Sequence, residues 1–128
     1  MGFSTRTNAA ALATSTAVHT AADETPKSCK AAAANIFKVT VDNSASAADV
    51  YVALYDVAVG SVSVGTTEPN LLLLCRAGKK TSYSFRGYTA LGTAGGLAFG
   101  TALTMAAGTS PAMSAGPTTK PEVTIDFT

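Results

Sequence analysis

Hydrophobic and polar positions alternate with a period of two along most of the chain beyond residue 34. Phe37, Val39 and Val41 alternate with Lys38, Thr40 and Asp42, which predicts a half-buried strand ending at an Asp42-Asn43-Ser44 turn. Val50, Val52 and Leu54 alternate with Tyr51, Ala53 and Tyr55, a second strand rich in β-branched and aromatic residues. Gly60 and the turn Gly65-Thr-Thr-Glu-Pro69 bracket a short Val62/Val64 segment, and an apolar run of strand length follows at residues 71–75. After the turn Ala77-Gly78-Lys79-Lys80, Tyr83 and Phe85 alternate with Ser82, Ser84 and Arg86.

Leu97, Phe99, Thr101, Leu103 and Met105 also recur at period two, which predicts one strand. A helical reading of that segment finds only Phe99 and Leu103 at the right spacing, although Ala, Leu and Met favour helix. Residues 108–121 form a Gly/Pro/Ser/Thr loop, and Val123, Ile125 and Phe127 make a closing strand. Six or seven short strands with turn signals at intervals of roughly 8–12 residues predict a sandwich or barrel. No helix-length amphipathic segment interrupts them, so a βαβ fold is not expected. The expected class is all-β, a β-sandwich or jelly-roll-like domain over residues 35–128. Its predicted core is Phe37, Val39, Val41, Val52, Leu54, Leu72, Leu74, Phe85, Leu97, Phe99, Leu103 and Ile125.

Residues 1–34 break the pattern. Their only large aliphatic or Phe side chains are Phe3, Leu12 and Val18. So little apolar surface cannot offset the entropy of ordering the segment. It is expected to be an extended N-terminal arm held by neighbouring subunits and dispensable for folding of the rest, with at most a short helical turn at residues 28–34. Leu12 and Val18 make too poor an apolar stretch for a secretory leader, so none is expected.

Composition extends this reading. Of 128 residues, 66 are Ala, Thr, Ser or Gly, and only 26 are Leu, Ile, Val or Phe. Charged residues are 13% with a formal net charge of +1. That balance gives no basic footprint for nucleic acid and no polybasic patch for a membrane. The uncharged stretch from Gly87 to Thr119 is too rich in Gly and Thr for a membrane helix. Sparse charge also leaves little to keep a monomer soluble, which points to assembly with other chains.

Candidate chemistry is thin. His19 is the only histidine and sits in the arm, where no rigid scaffold would position it as a general base. His19 and Asp23, with Cys29 nearby, fall short of a zinc set. Cys29 and Cys75 are read as free thiols of a reducing compartment, Cys75 as a small buried hydrophobe. Asp42, Asp49 and Asp56 lie at turns and strand ends, the usual place for Asp, without the dense oxygen set calcium needs. Arg76, Lys79, Lys80 and Arg86 cluster around one hairpin and are read as its solvated end. Gly92-Thr-Ala-Gly95-Gly96 has neither a phosphate-loop pattern nor a following helix. The expectation is therefore a non-enzymatic protein with no catalytic, cofactor-binding or metal-binding residues, no cofactor and no small-molecule substrate.

Four segments carry a resemblance. Tyr51-Val-Ala-Leu-Tyr-Asp56, residues 63–69, residues 71–78 and residues 95–103 resemble, in that order, small structural proteins of tailed bacteriophages. There a strand ending in Leu-Tyr-Asp is followed by a Val-Gly-Thr turn closed by proline, an apolar strand and a Gly-Leu-Ala-Phe strand. The match covers about residues 48–108. It implies a virion protein with a β-sandwich core, assembled in the bacterial cytoplasm. Its implied role is capsid decoration, a cement protein and homotrimer bridging subunits of the major capsid protein. A tail, baseplate or head-fibre component, possible adhesins included, is the alternative. A secreted carbohydrate-binding sandwich would be expected to show stacking tryptophans, and the sequence has none.

Overall fold

The computed structural model describes residues 15–85 and 96–128. Among them are nine strands: β1 (Ser15–His19), β2 (Lys27–Lys30), β3 (Ala34–Asp42), β4 (Val50–Tyr55), β5 (Leu71–Cys75), β6 (Lys80–Ser84), β7 (Leu97–Phe99), β8 (Leu103–Gly108) and β9 (Glu122–Phe127). They form two antiparallel sheets, one in the order β1-β9-β3-β6 with β7 also on β3, the other in the order β2-β8-β4-β5. The pairs nest: β4 lies on β5, β3 on β6, β2 on β8 and β1 on β9. A long antiparallel ribbon with the β4–β5 connection at its tip, rolled so that alternate pairs fall in alternate sheets, gives this order. It is an all-β sandwich of jelly-roll topology.

The core lies between the sheets. Val39, Val41, Val123 and Ile125 from the first sheet meet Val50, Val52, Leu54, Leu103 and Met105 from the second, and all are buried. Alternation in β3 places Lys38, Thr40 and Asp42 on the opposite face, beside Ser82, Ser84, Thr124 and Asp126. That face is polar, and its hydroxyls bond across strands: Thr40 Oγ1 lies 3.1 Å from Ser82 Oγ, and Thr16 Oγ1 donates to Asp126 at 3.1 Å. A bulge between Ile36 and Lys38 breaks the alternation, so Ile36 and Phe37 are both buried.

Sheet two is covered on both faces. Ala53, Tyr55 and Ala106 point away from the main core into a second apolar cluster, closed by Met113, Val57, Val62 and Val64. The excursion 57–69 and the loop after β8 thus form a third layer. This accounts for the continuous burial of β8.

Several expectations change. Residues 15–34 are not arm: β1 and β2 complete the two sheets, Ala22 and Ala34 are buried, and Ala17 and Cys29 pack on the core. Their side chains are mostly exposed or half-buried, and backbone pairing with β9 and β8 supplies most of their order. Removal of residues 1–34 would delete a strand from each sheet; residues 1–14 lie outside the described residues. The expected helical turn at 28–34 is absent, since Lys27–Lys30 pair with β8. The single strand expected over residues 97–105 is two strands in different sheets. The Val62/Val64 segment carries a 3-10 turn at Val59–Ser61 and bonds from Thr66 and Thr67 to the Ser63 carbonyl, not a ladder. Leu72 is 38% exposed and Leu74 half-buried, because Val52 pairs with Leu73 and Val50 with Cys75, turning Leu73 and Cys75 inward. Leu97 is half-buried at the core's margin.

Candidate functional site

The chain's aspartates do structural work. Asp56 follows β4, and its carboxylate accepts the N–H groups of Gly100 (3.0 Å), Thr101 (2.7 Å) and Ala102 (3.2 Å). These residues carry the chain from β7 in one sheet to β8 in the other, and their donors go to Asp56 instead of a ladder. Burial works to raise the Asp56 pKa, but the three donors outweigh it and hold the carboxyl below its ordinary range. Asp42 accepts from the N–H and hydroxyl of Ser44, an Asx turn, and its pKa is lowered by those two bonds. Asp49 accepts the Ala77 N–H at 2.9 Å and meets Arg76 at 3.5 Å. Asp42 and Asp49 flank the connection into β4 while Asp56 stands at its far end, so the three do not converge on a cation. No group of three potential metal ligands occurs among the described residues.

Asn43 was legible only as a turn residue, yet it ties two turns together. It is buried, and its Nδ2 donates to the carbonyls of Ala48 (2.8 Å), Cys75 (3.3 Å) and Arg76 (3.3 Å). Its backbone N–H bonds Lys79, and its carbonyl accepts from Ser46 and Gly78. The hairpin end with Arg76, Lys79 and Lys80 is therefore docked on Asn43, its cations outward; Arg86 lies outside the described residues.

His19 and Cys29 meet where the flanking strands of the two sheets face each other. The Cys29 thiol is 3.4 Å from His19 Nε2, close enough to donate to the unprotonated ring nitrogen. Burial pushes the Cys29 pKa up to about 12, and burial together with the neighbouring Lys27 lowers that of His19. Thiol and imidazole are both neutral at pH 7, the reverse of the thiolate–imidazolium pair of a cysteine nucleophile. Asp23 is not part of this contact; it bonds Lys120 at 3.0 Å and the Thr25 N–H, and these lower its pKa. Cys29 and Cys75 are free, and the buried Cys75 thiol lies 3.4 Å from the Val41 carbonyl. Neither thiol is expected to react with a disulfide reagent at pH 8 until the protein unfolds. Labelling rates in and out of denaturant test this; fast native labelling of Cys29 would contradict the raised pKa of its half-buried thiol.

Of the Gly-rich run, residues 92–95 lie outside the described residues. Gly96 has φ +122°, and a Cβ there would stand 2.8 Å from the Phe37 ring, so close packing requires glycine.

An open groove of about 430 Å³ runs past Lys30, Asn35, Ala98 and Thr128. A smaller cavity of about 130 Å³ lies within the third layer, lined among others by Tyr55, Thr67, Glu68, Pro69, Pro111 and Met113. Tyr55 is fully buried and its hydroxyl has no hydrogen-bond partner. Burial raises its pKa, so the phenol stays protonated. Met113 holds a left-handed φ of 55°, costing about 1 kcal/mol in a non-glycine residue. It is retained there by burial against Gly108 and a bond to the Ser110 carbonyl. Nothing in the sequence distinguished Tyr55, which occupies the expected outward phase of β4. No protein-family model, curated protein or solved structure matches this chain.

Proposed function

We propose that the chain is a non-enzymatic virion structural protein, a capsid decoration protein that binds and stabilises the assembled lattice of a major capsid protein. The observation that carries this reading is spatial. The segments that resemble phage structural proteins are dispersed over residues 48–108, yet β4, the loop over it, β5 and the start of β8 adjoin in one sheet and its outer layer, and β7, in the other sheet, is tied to the end of β4 through the Asp56 crossing. Jelly rolls serve capsid and lectin domains, and fold alone would not choose between them.

The binding surface in this reading consists of strand edges and the apolar side chains beside them. β5 ends one sheet with Leu72 38% exposed, next to the half-buried Leu74 and Tyr51; β1 ends the other with Val18 53% exposed. Sheet edges of this kind offer hydrogen bonds to a second chain. The arm's contribution now rests on residues 1–14. Contacts made only with the assembled lattice stabilise it by linkage, and association of the chain as a homotrimer belongs to the same proposal.

Native mass and co-sedimentation with decoration-stripped phage heads test this. A trimer pelleting at hundreds of copies per particle supports decoration, and a monomer left in the supernatant rejects it. A handful of copies per particle would instead favour a tail or head-fibre component. Leu72→Lys is expected to weaken particle binding at least tenfold, the effect of about 1.4 kcal/mol, with the unfolding midpoint unchanged. Equal binding by the variant would remove β5 from the interface.

A further inference from the structure

The cavity between the two loops of the third layer has the features of a small ligand site. Tyr55 stands on the outer face of its sheet, so its hydroxyl is the part of the side chain farthest from the strand and nearest the covering loops. That hydroxyl is buried and unpartnered. A second donor is close by: the Thr67 hydroxyl oxygen already accepts the Ser63 N–H at 2.9 Å, leaving its own O–H to give. Tyr55 and Thr67 are both among the residues lining a space of about 130 Å³, the liquid volume of roughly four waters. Pro69, Pro111 and Met113 give it rigid apolar walls.

The geometry points to a binding site for a small neutral molecule bearing a carbonyl or hydroxyl oxygen, which accepts hydrogen bonds from Tyr55 and Thr67 while its alkyl part contacts Pro111 and Met113. The charge of the lining selects neutral over anionic ligands. Glu68 is the one charged residue lining the cavity, and no cation lines it. A carboxylate ligand would face an uncompensated negative neighbour, whereas an amide or alcohol supplies the acceptor without the charge. This inference is independent of capsid binding, since neither hydroxyl belongs to the exposed edge of β5.

The test uses the full chain with 13C-methyl methionine and follows the Met113 methyl signal. N-methylacetamide is titrated as the neutral probe and acetate as an anion of similar size. A saturable shift with a Kd on the order of millimolar is expected for the amide, as befits so few atoms, with acetate at least tenfold weaker. Tyr55→Phe should weaken the amide about tenfold, the loss of one buried hydrogen bond, and Thr67→Val should weaken it independently if the first variant folds poorly. Linear shifts without saturation, meaning that the cavity holds only water, would overturn the proposal. So would equal binding of acetate, or unchanged amide binding in a folded Tyr55→Phe or Thr67→Val protein.

Discussion

Replacing Asp56 by alanine is expected to destabilise the fold by about 2 kcal/mol, read as a fall of roughly 5–10 °C in Tm. The carboxylate gathers three consecutive N–H groups at the crossing between the sheets. Removal strands donors that no ladder can take up, and the Ala102 donor is the most enclosed of them. The figure stays below the sum of three charge-assisted bonds because water reaches Gly100 and Thr101 in the variant; both are exposed. The pH dependence has a definite sign. The folded pKa is depressed, so the Asp56 contribution is present in full above the unfolded carboxylate value of about 3.9 and is lost as pH falls through the folded value. The gap in unfolding free energy between native and Asp56→Ala proteins should thus be constant near neutrality and narrow below about pH 4. A gap that widened in acid would mean that the carboxylate is not held by these donors.

Leu54→Ala should cost more, about 3–4 kcal/mol. Leu54 is fully buried at the centre of the second sheet, paired with Leu71 on one side and Met105 on the other. Its neighbours belong to two sheets held apart by their own ladders, so the space cannot collapse and the cavity remains. Urea unfolding at constant m-value measures the loss. Leu72→Ala provides the internal comparison: same strand system, same chemistry, 38% exposed, with an expected cost under about 1 kcal/mol. Equal losses at the two positions would mean that β5 is turned the other way.

That comparison also marks how far the sequence could be read. Val39 and Val41, or Val123 and Ile125, are separated by polar residues, so their phase is visible in the sequence and their burial follows. Four consecutive leucines carry no phase; only the pairing of Leu73 with Val52 decides which of them faces in. The period-two series from Leu97 to Met105 concealed a change of sheet because alternation persists across the crossing, while the cause of the break, Asp56, lies 44 residues before Gly100. β1 and β2 were missed for a related reason. Their composition lacks core formers, and their order comes from backbone pairing with β9 and β8 near the other end of the chain. Within the third-layer cavity, Tyr55 looked like an outward aromatic, since burial of the outer face depends on loops whose positions no local pattern encodes.

The nesting of the strand pairs constrains the order of events in synthesis. The hairpin partners β4 and β5 emerge close together and can pair early, but Ser15 finds its place only opposite Phe127. Loop closure over that span is entropically expensive, and topologies dominated by such contacts fold slowly. β1 therefore leaves the ribosome long before the strand it needs exists, and through most of translation the first sheet has open edges on both its early strands. Closure of the first sheet therefore waits until residues 122–127 have been made.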